Sequence, residues 1–251
     1  VSIPTGPVVV PEAVHRLVGD APFVADPPVH AVWRNLDGGT TFHAPVHGVY
    51  VKWAPAGTPL DLAAEAERLV WAGRFSRVPE VVTQGADDEG AWLVTRAVLG
   101  RSAVDPLWLA RPLDAVRAVG AGLRALHDAL PVVGCPFSWS VEDRLGRLDD
   151  RDRAAALAEA PPVDRLVVCH GDACVPNTLL SDDGAWLAHV DLGRLGVADR
   201  WADLAIATWS TVWNYGPGYE DALLDAYGVA PDPERTAYYR ALWGSPRVSA
   251  W

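Results

Sequence analysis

The run HGDACVPNTLLSDDGAWLAHVDLGRLGVADRWADLA, from residue 170 to 205, constrains this chain more than any other part of it. Two short apolar runs, NTLL and AWLAHVD, flank the turn sequence SDDG. Apolar runs joined by an Asp/Gly-rich turn read as strands of a hairpin. Asn177 enters the first run and Asp191 leaves the second, while Asp172 stands ahead of both, behind His170 and Gly171. Cys169 and Cys174 bracket this His-Gly-Asp triplet. A histidine between cysteines raises the idea of a metal site, but no second ligand pair accompanies it. Cys135, Cys169 and Cys174 are therefore expected as free thiols in a reducing compartment.

A second constraint is a single residue. Among 21 lysines and arginines only Lys52 is a lysine, inside the strand-like run GVYVKWA (48–54). A genome rich in arginine codons explains most of that imbalance, yet the position marks a place where arginine is not an equivalent. HAVWRN (30–35), EVVTQG (80–85) and AWLVTRAV (91–98) are similar short runs bounded by Gly, Pro or Asp, and they predict strands. One helix is predicted among them, over 60–75, with Leu62, Ala66, Leu69 and Gly73 on its inner stripe and Glu65 sharing that face. Beyond residue 100 the pattern turns helical. Val116, Val119, Leu123, Leu126 and Leu130 recur at three- and four-residue steps over 112–131, and further helices are predicted at 200–214, 219–228 and 232–243. Strands first and helices afterwards predict an α+β fold in two lobes. The strand-rich N-lobe spans 1–97 and the helical C-lobe 98–251, with a cleft where they meet.

The 251 residues suffice for one large domain or two lobes, and half are hydrophobic. The net charge of −11 speaks against a nucleic-acid partner and suits a cationic ligand. No apolar run is long enough to span a bilayer, and the start lacks a basic region followed by an apolar core. A cytoplasmic chain, monomeric or homodimeric and without membrane partners, is expected. It contains no methionine, the initiator included, so it is not expected to be an untouched reading frame.

The order of parts matches one chemistry. Phosphoryl transfer from ATP needs most of a Gly38–Gly39 turn, a strand lysine, an inward helix glutamate, a buried helix, His-Gly-Asp with Asn five later, and Asp after the next hairpin. Glycine N–H groups approach phosphates closely because no Cβ intervenes. A lysine reaches the phosphates and a glutamate holds it there. Asn and Asp supply hard oxygen ligands for Mg²⁺, and a further Asp orients or deprotonates the attacking hydroxyl.

VCHGDACVPNTLL…HVDLGRLGVADRWADLA closely resembles the aminoglycoside O-phosphotransferases of the 3' and 3'' type, which share the bilobal protein-kinase-like fold. GAWLVTRAVLGRSA, LHDALPVVGCPF and YGVAPDPERTAYYRAL extend the resemblance over roughly residues 30 to 243. The resemblance implies Asp172 as catalytic base, Asn177 and Asp191 as Mg²⁺ ligands, and Lys52 on the ATP phosphates, paired with Glu65. It implies Gly38 and Gly39 in the loop over the nucleotide, Arg194 as support for the phosphate and metal site, and the backbone of Arg96, Ala97 and Val98 against adenine. Asp203 is expected as a buried structural carboxylate accepting backbone N–H groups, and His170 as a packed structural histidine.

The acceptor half departs from the family's pattern. Asp37 precedes Gly38 where members often carry serine. Trp209, Ser210 and Trp213 stand where kanamycin-type members place acidic side chains. Glu142 and Asp143, with Asp149, Asp150 and Asp152, are the acids left for ammonium groups, with Trp209 and Trp213 as further candidate acceptor contacts. The resemblance implies a cytoplasmic, ATP- and Mg²⁺-dependent kinase that phosphorylates a hydroxyl of an aminoglycoside antibiotic and so confers resistance. The alternatives are a kinase for another antibiotic or metabolite alcohol, and a non-catalytic nucleotide- or drug-binding pseudokinase.

Overall fold

The computed structural model describes residue 4 and residues 6–18, 29–145 and 159–244. Asp149, Asp150 and Asp152 lie outside the described residues. The chain divides into two compact units, residues 1–70 with 79–97, and residues 71–78 with 98–250.

The first unit is built on five antiparallel strands, β1 (His30–Arg34), β2 (Thr40–Ala44), β3 (Val49–Pro55), β4 (Val81–Ala86) and β5 (Gly90–Arg96), in the order β1-β2-β3-β5-β4. Strand side chains alternate between faces. Val49, Val51 and Trp53 of β3 therefore join Phe42, Ala44 and Val94 on one face, where helix α1 (Glu12–Val18) adds Ala13, Val14 and Val18 to a shared apolar core. Tyr50 and Lys52 fall on the other face, with cross-strand partners His43 and Thr41. Helix α2 (Leu62–Ala72) buries Leu62, Ala66 and Leu69 as its period predicts, and Glu65 with them. Gly73 does not continue this stripe: the helix stops at Ala72, and Gly73 is exposed in the turn that follows.

The second unit carries the helices. A short strand β6 (Arg101–Ser102) precedes α3 (Pro106–Leu109) and α4 (Pro112–Ala129), whose Val116, Val119, Leu123 and Leu126 are buried. Pro112 opens α4, and Leu130 leaves the helix in an extended conformation before Pro131. A short helix α5 (Val141–Arg144) follows. Strands β7 (Leu166–Cys169), β8 (Thr178–Leu180), β9 (Trp186–His189) and β10 (Gly196–Asp199) come next, then helices α6 (Trp201–Tyr215), α7 (Glu220–Tyr227) and α8 (Pro233–Gly244). β7 pairs with β10, and β6, β8 and β9 form a three-stranded sheet. Among the described residues no helix is long and apolar enough to cross a membrane.

Candidate active site

The SDDG turn makes the predicted hairpin. β8 and β9 pair with Thr178 opposite His189, and the Val190 N–H donates to the Asn177 carbonyl at 3.0 Å. This register places Asn177 beside Val190, one residue from Asp191. Asp191 is the one non-glycine among the described residues with positive φ, at 63°. Asp tolerates the left-handed region better than most residues, and such conformations concentrate at functional sites.

Asp172 is anchored by its neighbours. The Asn177 amide nitrogen donates to the Asp172 carbonyl at 3.0 Å. The Asp172 N–H lies 3.2 Å from His170 Nδ1, so that nitrogen is the acceptor and the ring proton sits on Nε2. Nε2 then donates to the Val190 carbonyl at 2.9 Å. Buried His170 thus ties the backbone of Asp172 to the segment that carries Asp191, in the structural role expected for it. Asp203 accepts the N–H groups of His170 and Gly171 at 2.6 and 2.9 Å, also as expected. Gly171 has φ +82°, and a Cβ there would lie 2.1 Å from the Arg194 carbonyl oxygen, so only glycine fits between the two loops. Cys174 sits against Asp172, and burial followed by that carboxylate pushes its thiol pKa well up.

Among the described residues, none gives a hydrogen bond to the buried Asp172 Oδ1. An orphaned buried carboxylate oxygen is costly unless a ligand satisfies it. With its nitrogen committed to Asp172, Asn177 has its amide oxygen to offer, and Asp191 adds a carboxylate. This hard oxygen donor set fits Mg²⁺.

In the first unit Lys52 Nζ and Glu65 Oε1 are 2.6 Å apart, with Glu65 6% exposed. Strand alternation aims the lysine away from the apolar core, and helical phase aims the glutamate at it. The Gly38–Gly39 turn joins β1 to β2. Its closure uses Asn35, which the sequence reading did not single out: the Gly39 N–H donates to Asn35 Oδ1 at 2.7 Å and the Asn35 N–H to the Gly39 carbonyl at 3.1 Å. Tyr50 precedes Lys52 by two residues on the same face, and its ring stacks on His43 at 4.4 Å. In the segment expected to meet adenine, the Arg96 and Ala97 N–H groups are already donated, to Glu80 and Gly48. An open concavity of about 590 Å³ lies between the Thr58–Ala63 stretch and β4–β5, but neither Lys52 nor Glu65 lines it.

The remaining sites are less uniform. The Arg194 guanidinium lies over the rings of Trp139 and Trp243, at 5.9 and 5.1 Å. Glu142 and Asp143 are both exposed, and Asp143 accepts from the hydroxyls of Ser138 and Ser140 at the start of α5. Trp209 and Trp213 pack together on α6 at 4.8 Å, with Trp213 51% exposed. Ser210 turns inward, and its hydroxyl accepts the Val175 N–H of the loop ahead of β8 at 3.0 Å. Cys169 lies with His127 and Asp203 rather than with Cys174, and the three cysteines are free thiols.

The α+β fold is that of the protein-kinase-like phosphotransferases; the first unit carries the Lys52–Glu65 pair, and the second carries Asp172, Asn177 and Asp191 around one hairpin. The phosphotransferase enzyme family matches residues 32–239, and the chain belongs to that family. It is similar to an aminoglycoside 3'-phosphotransferase of Streptomyces fradiae, at 37% identity covering 82% of this chain and 88% of that one. A streptomycin 3''-kinase of Streptomyces griseus is 34% identical, covering 85% and 92%. Among solved structures, the aminoglycoside phosphotransferase APH(3'')-Id of Streptomyces rimosus with ADP and streptomycin is 28% identical. It covers 81% of this chain and 88% of its own, with a TM-score of 0.63.

Proposed function

We propose that this chain transfers the terminal phosphoryl group of ATP to a hydroxyl of an aminoglycoside antibiotic, in the cytoplasm, and so confers resistance. The observation that carries the reading is the loop from His170 to Asn177. There the backbone around Asp172 is fixed by hydrogen bonds from several directions, and none of the described residues gives a hydrogen bond to one of its carboxylate oxygens. Relatives named for aminoglycoside and streptomycin phosphorylation, and a complex with ADP and streptomycin, support the class of donor and acceptor.

In this reading Asp172 orients the acceptor hydroxyl and takes its proton as the oxygen attacks phosphorus. Asn177 and Asp191 would hold Mg²⁺ through their oxygens. When bound, Mg²⁺ neutralises charge on the phosphate oxygens. Lys52 binds phosphate, and Glu65 keeps its ammonium in one place, so little ordering is left to the moment of reaction. Gly38 and Gly39 cover the phosphates with backbone N–H groups, and the Val98 end of the segment 96–98 meets the purine edge. Tyr50 offers a flat ring for the base. Arg194, held on two indoles, supports the phosphate and metal site from the loop that follows Asp191. Glu142, Asp143, Trp209 and Trp213 are the candidate acceptor contacts.

A panel of aminoglycosides assayed for Mg²⁺- and ATP-dependent ADP release, with mass analysis of the antibiotic, tests the proposal. Transfer of one phosphate to at least one member is expected. Nucleotide binding without transfer to any of them would instead favour the binding-only alternative.

A further inference from the structure

The catalytic loop is held by Asp203, and Asp203 is itself held. Its Oδ2 lies 2.9 Å from His127 Nε2 on α4, and His127 Nδ1 lies 2.8 Å from the Tyr227 hydroxyl at the end of α7. All three side chains are buried, at 0% exposure for Asp203, 3% for His127 and 1% for Tyr227. Water does not arbitrate their protons at such exposure, so the groups must satisfy one another.

We propose that Tyr227 is a positioning residue for the catalytic loop, acting by fixing the tautomer of His127. A neutral imidazole carries one N–H. With the proton on Nδ1, a bare Nε2 lone pair would face the Asp203 carboxylate, two acceptors at 2.9 Å. With the proton on Nε2, the ring donates to Asp203, and Nδ1 needs a donor of its own. The Tyr227 hydroxyl is that donor. It stays protonated at every working pH because burial pushes its pKa up to about 12. In an imidazolium the hydroxyl would turn and accept from Nδ1–H instead, a third form that the spectra proposed below distinguish from the two neutral ones. In the neutral ring the direction of the chain is set: Tyr227 O–H to Nδ1, Nε2–H to Asp203 Oδ2, and Asp203 in turn accepting the N–H groups of His170 and Gly171.

The phenol ring has its own support, which separates the hydroxyl's role from packing. The Arg124 guanidinium lies 5.8 Å over the ring and reaches the Tyr227 carbonyl at 3.4 Å. The His127 ring meets it edge-on at 5.6 Å. Arg124 and His127 stand three apart on α4, one face of one helix. Removing the hydroxyl leaves these contacts in place and frees only the imidazole proton.

The test is Tyr227→Phe, read by long-range ¹H–¹⁵N spectra of His127 and by kinetics. The kinetic arm rests on the phosphoryl-transfer reading; the tautomer arm does not. Wild type should show His127 in the Nε2–H form alone, and Tyr227→Phe should populate the Nδ1–H form. Loss of one buried hydrogen bond in the chain should lower kcat by about 3- to 10-fold, with nucleotide KM unchanged. His127→Gln supplies an amide N–H to Asp203 with no tautomer to set, so adding Tyr227→Phe to it should change kcat no further. An unchanged His127 tautomer in Tyr227→Phe, additive losses in the double variant, or a Tyr227→Phe protein that fails to fold would overturn the proposal. A wild type that shows no transfer would defeat the functional reading alone, and the tautomer spectra would still decide this one.

Discussion

Asp191 concentrates what the site demands of a single residue. A side chain at φ 63° accepts backbone strain, and the segment is pinned there by the Val190 N–H on Asn177 and the Val190 carbonyl on His170. Strain of about 1–3 kcal/mol persists only where surrounding bonds over-determine it. In the proposed chemistry the return is a carboxylate set beside the Asn177 oxygen. Asp191→Ala should raise the Mg²⁺ concentration needed for half-maximal turnover and lower turnover with it. A Mg²⁺ titration of initial rates checks this, and an unchanged Mg²⁺ requirement would remove Asp191 from the metal site.

At the scale of elements, the loop from Asp172 to Asn177 is seated by α6 as well as by the hairpin. The Val175 N–H donates to the hydroxyl of Ser210, both buried. Ser210→Ala leaves that N–H without an acceptor and should destabilise the protein by about 1–3 kcal/mol, read as a lower denaturant midpoint at unchanged slope. Such a contact is invisible in sequence, where Ser210 looks like an acceptor-site substitution. The hairpin itself was legible, because SDDG and its flanking apolar runs are local signals. The inward face of Glu65 was legible from helical phase, whereas its pairing with Lys52 came from the family resemblance. β2 was not: TTFHA mixes Thr and His with its apolar residues, and its strand character comes from lying between β1 and β3. Nor was α1, whose seven residues are too few to show a period and which is held by packing on the sheet. Asn35, His127 and Tyr227 were passed over for the same reason. Their partners are set by turn geometry or by tertiary approach across as many as 100 residues.

The whole molecule adds a pH dependence and an acceptor preference. Burial, and then the neighbouring His170, lower the pKa of His189 to about 3, against 6.5 for the free side chain. The unfolded chain therefore binds a proton that the fold refuses between those values. This term is fully present above about pH 6.5 and is lost as pH falls, by up to about 1.4 kcal/mol per unit. His189→Gln should flatten the acid side of the stability profile, measured by urea unfolding at stepwise pH; an unaltered slope would show that other groups set it. On the acceptor side, the Arg240 guanidinium already lies over Trp209 at 5.7 Å, so Trp213 is the indole left exposed on α6. An indole face contributes roughly 0.5–2 kcal/mol toward a cation, less than two charge-assisted hydrogen bonds at about 1.5–3 kcal/mol each. Kanamycin should therefore rank low in kcat/KM against acceptors with fewer ammonium groups or more apolar surface. Kanamycin at the top of the panel would mean that carboxylates elsewhere supply its contacts. The central claim is that Asp172 is the base that orients and deprotonates the acceptor hydroxyl, and Asp172→Asn tests it most directly. With a confirmed acceptor, turnover should fall by about 10²–10⁴-fold while nucleotide affinity stays at the wild-type value. Turnover within a few-fold of wild type would contradict the account.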